Sequence, residues 1–306
     1  HVKLFRNRAD LRFEGRIHEQ ILRPIRAAGG DVVWTDIHVV HSGSDQSPDG
    51  RRRKIDRDLR ILSAELKDQP NHPFVLFNLG MTYADAGDHE RAVDFFRRSL
   101  AVSDPTESHV RKAYALLASS LFQLEHWQDS LEQCQIGLRV VGRDPEIFFR
   151  AGLAYHQLGR HEDAIAAYES ALAGDENLHF NSRDVGISGF KARHNLAVVM
   201  EDCGRYSDAE TQWRMIVAEV PHYEAGWRGL LDNVRKQDPG ARFAAEVTDA
   251  RQDPIGRRVA LLLQGELAKQ QGSFDAARAH FQEAIDLGPH DPRPKRLLAQ
   301  LLFEQF

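Results

Sequence analysis

Hydrophobic positions from Pro73 to Pro289 recur with the spacing of amphipathic helices, and these helices come in pairs. The first helix of a pair carries a large apolar residue, then Gly or Ala, then often Tyr. The second helix carries Ala followed four residues later by an aromatic residue. We take this Gly or Ala as the marker position, with Leu231 in its place in the fifth pair. It falls at residues 80, 118, 152, 197, 231 and 265, which gives intervals of 38, 34, 45, 34 and 34 residues. The pattern predicts about six helical hairpins in a row.

A hairpin of this kind can bury its apolar face only against its neighbours. Gly or Ala at a helix crossing lets the two axes approach, and the large residues three or four positions away fill the grooves beside them. We therefore expect a mostly α fold, a right-handed α-solenoid over residues 73–289. The fifth hairpin is degenerate because its second helix is Ala-rich without the expected aromatic residue, and residues 290–306 are expected to form a terminal helix.

The first hairpin shows the full motif, with Leu79, Gly80 and Tyr83 in its first helix and Ala92 and Phe96 in its second. This pattern resembles the tetratricopeptide family, whose period is 34 residues. The resemblance implies a concave face that is lined by the first helices and holds a partner.

Five apolar residues on first helices form the predicted partner groove, namely Phe74, Phe77, Met81, Phe149 and Leu153. Family members that clamp a C-terminal carboxylate carry Lys and Asn at corresponding positions, so no such clamp is expected here. The groove docks a hydrophobic protein or peptide partner, or it packs against the chain's own N-terminal segment. In the fifth and sixth hairpins the same side carries mixed charge, which is typical of a solvated face.

The 45-residue interval contains an insertion at residues 175–189. Loops of this length in a compact array are uncommon and are often functional, although a longer linker without a role is the alternative.

The composition and net charge of the chain exclude several classes of protein function. The chain has 306 residues, a net charge of −5, 28% charged residues and a mean hydropathy of −0.48. No apolar run is long enough to predict a transmembrane segment, and nothing indicates nucleic-acid binding. Two cysteines cannot form a disulfide framework, so a reducing, cytoplasmic location is expected. The chain opens at His1 without an initiating Met, which predicts that it is a piece of a longer protein.

Residues 1–50 have a different pattern. Leu11–Ile17 alternates as a strand would, and a second β-rich run covers Asp31–His41. Residues 51–70 then form a capping helix, with Ile55, Leu59, Leu62 and Leu66 on one face. Two short strands are marginal alone, so they must pack on this helix or belong to a larger sheet.

Four short motifs carry a second resemblance: Leu4-Phe5-Arg6-Asn7, the run from Phe13 to Glu19, the run from Ile37 to Gly43, and the helix with Arg57-Asp58 that ends at Pro70. They resemble the C-terminal end of the catalytic domain in bacterial family 2 glycosyltransferases of GT-A type that carry a tetratricopeptide tail. The resemblance implies a small α/β remnant of that domain at residues 1–50. It also implies a parent enzyme that uses a nucleotide sugar and a divalent metal, Mn or Mg.

The catalytic parts of that family lie upstream, so the resemblance implies no catalytic residue and no cofactor within this chain. It places Arg16, His18 and Glu19 at the rim of a donor or acceptor site, although His18 and Glu19 could equally form a structural hydrogen-bonded pair. It makes His41 a candidate metal ligand. Asp56-Arg57-Asp58 has the Asp-x-Asp spacing of a metal motif, but its basic surroundings favour a solvated face.

Two hypotheses follow. In one, the chain is the tetratricopeptide region of a glycosyltransferase and contributes acceptor recognition, either of a glycan or of a protein, or self-association. In the other, it is a non-catalytic scaffold that binds a protein partner. A reading frame that continues upstream of His1 with an Asp-x-Asp motif would favour the first.

Overall fold

The computed structural model describes residues 5–13, 21–31, 45, 47–174 and 186–304. Within these ranges the chain is helical, and no residue there is in a β-strand. Of the two β runs predicted near the N-terminus, residues 11–13 and 31 are described and are not in a strand, and the others lie outside the described residues.

The described helices fall into two compact units. The first unit contains α1 Leu22–Ala27, α2 Pro48–Asp68, α3 Pro73–Asp85, α4 His89–Val102, α5 Val110–Gln123, α6 Trp127–Val141 and α7 Pro145–Gln157. The second unit contains α8 His161–Leu172, α9 Phe190–Asp202, α10 Tyr206–Glu219, α11 Glu224–Gln237, α12 Ala241–Ala250, α13 Pro254–Gln270, α14 Phe274–Leu287 and α15 Pro292–Phe303.

Five helices begin with a polar residue followed by proline. The side chain before the proline accepts a hydrogen bond from a backbone N–H of the first turn. The proline occupies a position where a backbone N–H would have no acceptor within the helix. The capping residues are Ser47, His72, Asp144, Asp253 and Asp291. The cap at Ser47 makes α2 begin at Pro48, three residues before the start at residue 51 that the sequence predicted.

Helix pairs pack as the repeat pattern predicts, since α3 packs on α4, α5 on α6, α9 on α10 and α13 on α14. At the crossing of α3 and α4, a Cβ on Gly80 would lie 2.7 Å from the ring of Phe96. At the crossing of α13 and α14, a Cβ on Gly265 would lie 2.4 Å from Phe281. Glycine at the marker position therefore makes room for the aromatic ring of the second helix.

The fifth pair has no aromatic residue at the usual position of its second helix, α12, as the sequence indicates. That position holds Val247, which is 4% exposed, and Phe243, which is 7% exposed, stands where the other second helices carry Ala.

The capping helix α2 packs on α3 through its apolar face. Leu62 is buried with Val75 and Leu79, and Leu59 and Leu66 pack against the same cluster. Asp58 lies beside this apolar face and is only 4% exposed, with its carboxylate accepting from Arg57 at 2.7 Å. Only Asp56 of the Asp-x-Asp pair is exposed, so the solvated-face interpretation fails for Asp58.

In five hairpins, one residue of the turn after the first helix has a left-handed backbone conformation. Four of them place glycine there, with φ between 70° and 81°: Gly87, Gly159, Gly204 and Gly272. The second hairpin instead places Glu125 there, at φ 61°. A residue with a Cβ is disfavoured in this region by roughly 1–2 kcal/mol.

We expect Glu125→Gly to raise the free energy of unfolding by about 0.5–1 kcal/mol, because the relief of backbone strain exceeds the extra entropy of the unfolded glycine. Urea unfolding followed by circular dichroism measures the change. Gly87→Ala is the matched control and should be destabilising, since open space surrounds that position and only its φ is at issue. A loss of stability in Glu125→Gly would contradict the prediction.

Candidate functional site

The five residues of the predicted partner groove lie in the first unit on α3 and α7, and α5 packs between these two helices. The two helices present them in the same register, because Phe77 and Phe149 occupy equivalent repeat positions, as do Met81 and Leu153. Phe77 and Phe149 are buried, with 5% and 8% exposure. Phe74, Met81 and Leu153 are half-buried. We call the surface formed by these five residues and the facing side of α5 the first-helix face.

At the α3 end of this face, the aromatic side chains pack within the repeats. The ring of Phe77 lies 6.1 Å from Phe96 of α4 and 5.3 Å from His109, the residue that precedes α5. Phe74 contacts the same histidine at 5.7 Å. Met81 and Leu116 of α5 pack against this cluster as well. The half-buried edges of these side chains form the accessible apolar surface.

A charged group that the sequence analysis missed lies at the edge of the first-helix face. The Lys112 ammonium of α5 donates to both carboxylate oxygens of Glu146 on α7, each at 2.7 Å. Arg150, one turn further along α7, lies 3.9 Å from Glu146 and has its guanidinium 5.7 Å from the ring of Phe149. A sequence signal existed, because Lys112 and Glu146 are opposite charges exactly one 34-residue period apart on neighbouring first helices.

His109 is a buried titratable group at this face, with 6% exposure. The Ser103 hydroxyl donates to the Ser99 carbonyl at 2.8 Å, so His109 Nε2, 2.9 Å from that hydroxyl, is the donor to its oxygen. The neutral ring therefore carries its proton on Nε2. Burial, and to a smaller extent the neighbouring His72, lowers the pKa of His109 from 6.5 to about 4.

We expect His109 to make the protein less stable in acid. Since the pKa is lower in the folded state than in the unfolded chain, its stabilising effect is complete above pH 6.5 and is lost as the pH falls toward 4. The loss is on the order of 1–3 kcal/mol. Unfolding in urea at pH 7 and pH 4.5 should show a smaller pH effect for His109→Gln than for the natural chain. The exposed His126→Gln is the control, and an equal pH effect in all three proteins would contradict the prediction.

The mixed charges on the first helices of the fifth and sixth hairpins are all paired, namely Arg228, Asp232, Arg235, Lys236, Arg258, Glu266 and Lys269. Salt bridges there join neighbouring first helices: Lys236 to Glu201 at 2.5 Å, Arg228 to Glu266 at 2.9 Å, Arg258 to Glu224 at 2.7 Å and Lys269 to Glu304 at 2.8 Å. Asp232 accepts from Arg228 and Arg235. These pairs link α9, α11, α13 and the end of α15, and Arg228 and Lys236 are also 44% and 47% exposed to solvent.

The residues that the glycosyltransferase resemblance singled out lie outside the described residues. These are the rim candidates Arg16, His18 and Glu19 and the candidate metal ligand His41. The insertion at residues 175–189 is described only from Gly186 onward, where Ile187 is 4% exposed.

Family models of the tetratricopeptide repeat match three stretches of the sequence, residues 75–109, 116–178 and 260–305. The chain contains tetratricopeptide repeats. The matched stretches cover most of the pairs α3–α4, α5–α6 and α13–α14, and α9 and α10 pack in the same way outside them.

Relatives and solved structures agree with this repeat fold. Human tetratricopeptide repeat protein 28 is 30% identical over 89 residues, which are 29% of this chain and 3% of that protein. The mouse protein matches equally, over 4% of its length, so this chain spans a very small part of both relatives.

Among solved structures, the C-terminal part of a tetratricopeptide repeat-containing protein from Cytophaga hutchinsonii has a TM-score of 0.55 at 11% identity, covering 81% of this chain and 96% of that one. A tetratricopeptide repeat protein from Parabacteroides merdae has a TM-score of 0.53 at 19% identity, covering 82% and 93%. At these identities the similarity concerns the fold alone. None of the described helices is both long and apolar enough to cross a membrane.

Proposed function

We propose that the chain is a scaffold that binds a protein or peptide partner on the first-helix face of the first unit. One observation carries the proposal: Met81 and Leu153 stand at the same repeat position on α3 and α7, and both remain half-buried while their neighbours are buried. Leu116 of α5 is half-buried and packs, like Met81, against the cluster around Phe77. The three side chains are half-buried apolar groups on the first helices of three successive repeats.

The charged group at the edge of the first-helix face offers polar contacts to a partner beside this apolar surface. Lys112, Glu146 and Arg150 have side-chain exposures of 19%, 12% and 21%, so each is reachable but partly shielded from water. Two cations beside one carboxylate leave an excess positive charge. A peptide with apolar side chains at one end and a hydrogen-bond acceptor at the other matches this order of groups.

The test begins with peptides selected from a random library against the purified chain. We expect amide protection from hydrogen exchange on α3, α5 and α7 when a selected peptide is bound. Replacing Met81 and Leu153 together by lysine should weaken binding about tenfold or more, because the loss of two apolar contacts and the new charges is worth at least about 1.4 kcal/mol.

Val140→Lys is the matched control, since Val140 is also apolar and is 41% exposed, but on the second helix α6. It should bind the peptide as the natural chain does. Protection confined to second helices, or equal loss of binding in both variants, would contradict the proposal.

We also propose, on the sequence resemblance of residues 1–66, that the parent protein is a glycosyltransferase and that the repeats contribute acceptor recognition. The support consists of the motifs around Phe5, Phe13 and Ile37 and their order ahead of the repeats. The gene sequence tests it. A reading frame that continues upstream into an Asp-x-Asp motif is expected, and a start codon directly before His1 would leave only the scaffold hypothesis.

A further inference from the structure

The exposed side of the capping helix α2 carries a regular row of cations. Its apolar residues Ile55, Leu59, Leu62 and Leu66 follow the spacing i, i+4, i+7, i+11 and face α3. A second row with the same spacing starts two residues earlier and extends one turn further. It consists of Arg53, Arg57, Arg60, Ala64 and Lys67. Two residues turn a helix by roughly 200°, so this second row lies on the side opposite the core. We call its four cations the arginine stripe, namely Arg53, Arg57, Arg60 and Lys67.

All four side chains of the arginine stripe are exposed. From Arg53 to Lys67 the stripe covers 14 residues, or roughly 21 Å of helix. Within residues 51–60 there are six basic residues and two acidic ones, which gives +4 in a chain whose net charge is −5. Three of these six basic residues, Arg53, Arg57 and Arg60, belong to the stripe, and the exposed Asp56 lies on the same side between Arg53 and Arg60.

The partners of the stripe inside the chain neutralise it only in part. Arg53 pairs with Asp45 at 2.7 Å, but both side chains are more than half exposed, and pairs of this kind are weak. Arg57 pairs with the buried Asp58. Arg60 and Lys67 make no ion pair with another described residue. Arginine donates in a planar fork that fits a carboxylate, so a row of arginines suits a partner with carboxylates at matching intervals.

We propose that the arginine stripe docks an acidic segment of a protein partner, whose Asp or Glu residues repeat every three to four positions. A protein segment fits better than a membrane, because the stripe has no apolar side chain that could enter a bilayer. A planar anionic surface would also meet Asp68 and the rest of a net acidic molecule. A segment about 20 residues long meets only the stripe and Asp56 beside it. This surface is separate from the first-helix face and does not depend on the function proposed for that face.

The experiment uses a fluorescent helical peptide of about 20 residues with glutamates every three to four positions, and a peptide of the same composition in which the acids are clustered at one end. Fluorescence anisotropy measures binding to the whole chain at low and moderate salt. We expect the spaced peptide to bind more tightly than the clustered one, and binding to weaken as salt rises.

Arg53→Glu/Arg60→Glu/Lys67→Glu reverses the stripe and leaves Arg57 in place to satisfy Asp58. We expect it to weaken peptide binding at least about tenfold, because three attractive pairs become repulsive. The matched control reverses three exposed basic residues elsewhere, in Arg97→Glu/Arg139→Glu/Arg278→Glu, and changes the net charge equally. It should alter binding by less than about twofold. Circular dichroism and the unfolding midpoint establish that both variants are folded. If the variant with the reversed stripe does not fold, Arg53→Gln/Arg60→Gln/Lys67→Gln replaces it in the binding measurement.

Three results would overturn the proposal. One is the failure of the natural chain to bind the spaced peptide. Another is an equal loss in both triple variants, which would assign the effect to net charge alone. The third is stripe-dependent binding to phosphatidylserine vesicles or to a single-stranded oligonucleotide without binding to the peptide, which would assign the stripe to a membrane or to nucleic acid.

Discussion

Phe281→Ala is expected to lower the free energy of unfolding of the second unit by about 3–5 kcal/mol. Phe281 lies on α14, is fully buried, and fills the space beside Gly265 where α13 and α14 cross. Leu261, Leu262 and Leu301 belong to the same buried cluster. Removing the ring leaves a cavity that these side chains can fill only in part, because the helices around it are held by their own packing. Urea unfolding monitored by circular dichroism measures the loss.

Phe274→Ala is the control for this prediction, because Phe274 is on the same helix but is 39% exposed. It should change the free energy of unfolding by less than about 1 kcal/mol. Similar effects of the two substitutions would mean that Phe281 does not hold the hairpin together. Gly265→Ala adds a second check and should also destabilise, since its Cβ would overlap the ring.

The second large effect is expected at Asp144, which is 2% exposed and has two structural roles. Its Oδ1 caps α7 by accepting from the Ile147 N–H at 2.9 Å, and its Oδ2 accepts from Arg111 Nε of α5 at 2.9 Å. Asp144→Ala removes the cap and leaves a largely buried guanidinium without its carboxylate. We expect a loss of about 2–4 kcal/mol in the free energy of unfolding of the first unit.

Asp144→Asn separates the two roles. Asparagine caps a helix about as well as aspartate, but it lacks the charge that Arg111 requires. It should therefore recover about 1 kcal/mol relative to Asp144→Ala. Asp88→Ala is the comparison for a more exposed cap, since Asp88 caps α4 and should cost about 1 kcal/mol. If Asp144→Ala cost no more than Asp88→Ala, the pair with Arg111 would contribute nothing.

The two units differ in how much of their binding chemistry the sequence could reveal. The apolar groove residues were visible because they recur at fixed repeat positions. The burial of His109 was not, because a side chain that lies before a helix leaves no periodic signal of its own. Lys112 and Glu146 are opposite charges one 34-residue period apart, but spacing alone does not show which side chains meet. The mixed charges of the second unit looked like a solvated surface until their partners on neighbouring helices were known.

The sequence by itself determined the hairpin repeat and its period, because both depend on local spacing and on a small residue where two helices cross. Tertiary structure alone decided which apolar side chains stay accessible. Phe77 and Met81 are four residues apart on one helix and read alike in the sequence, yet Phe77 is buried against Phe96 and His109 while Met81 remains half-exposed. Burial depends on what the neighbouring repeat places opposite a side chain, and periodicity within one helix does not contain that information.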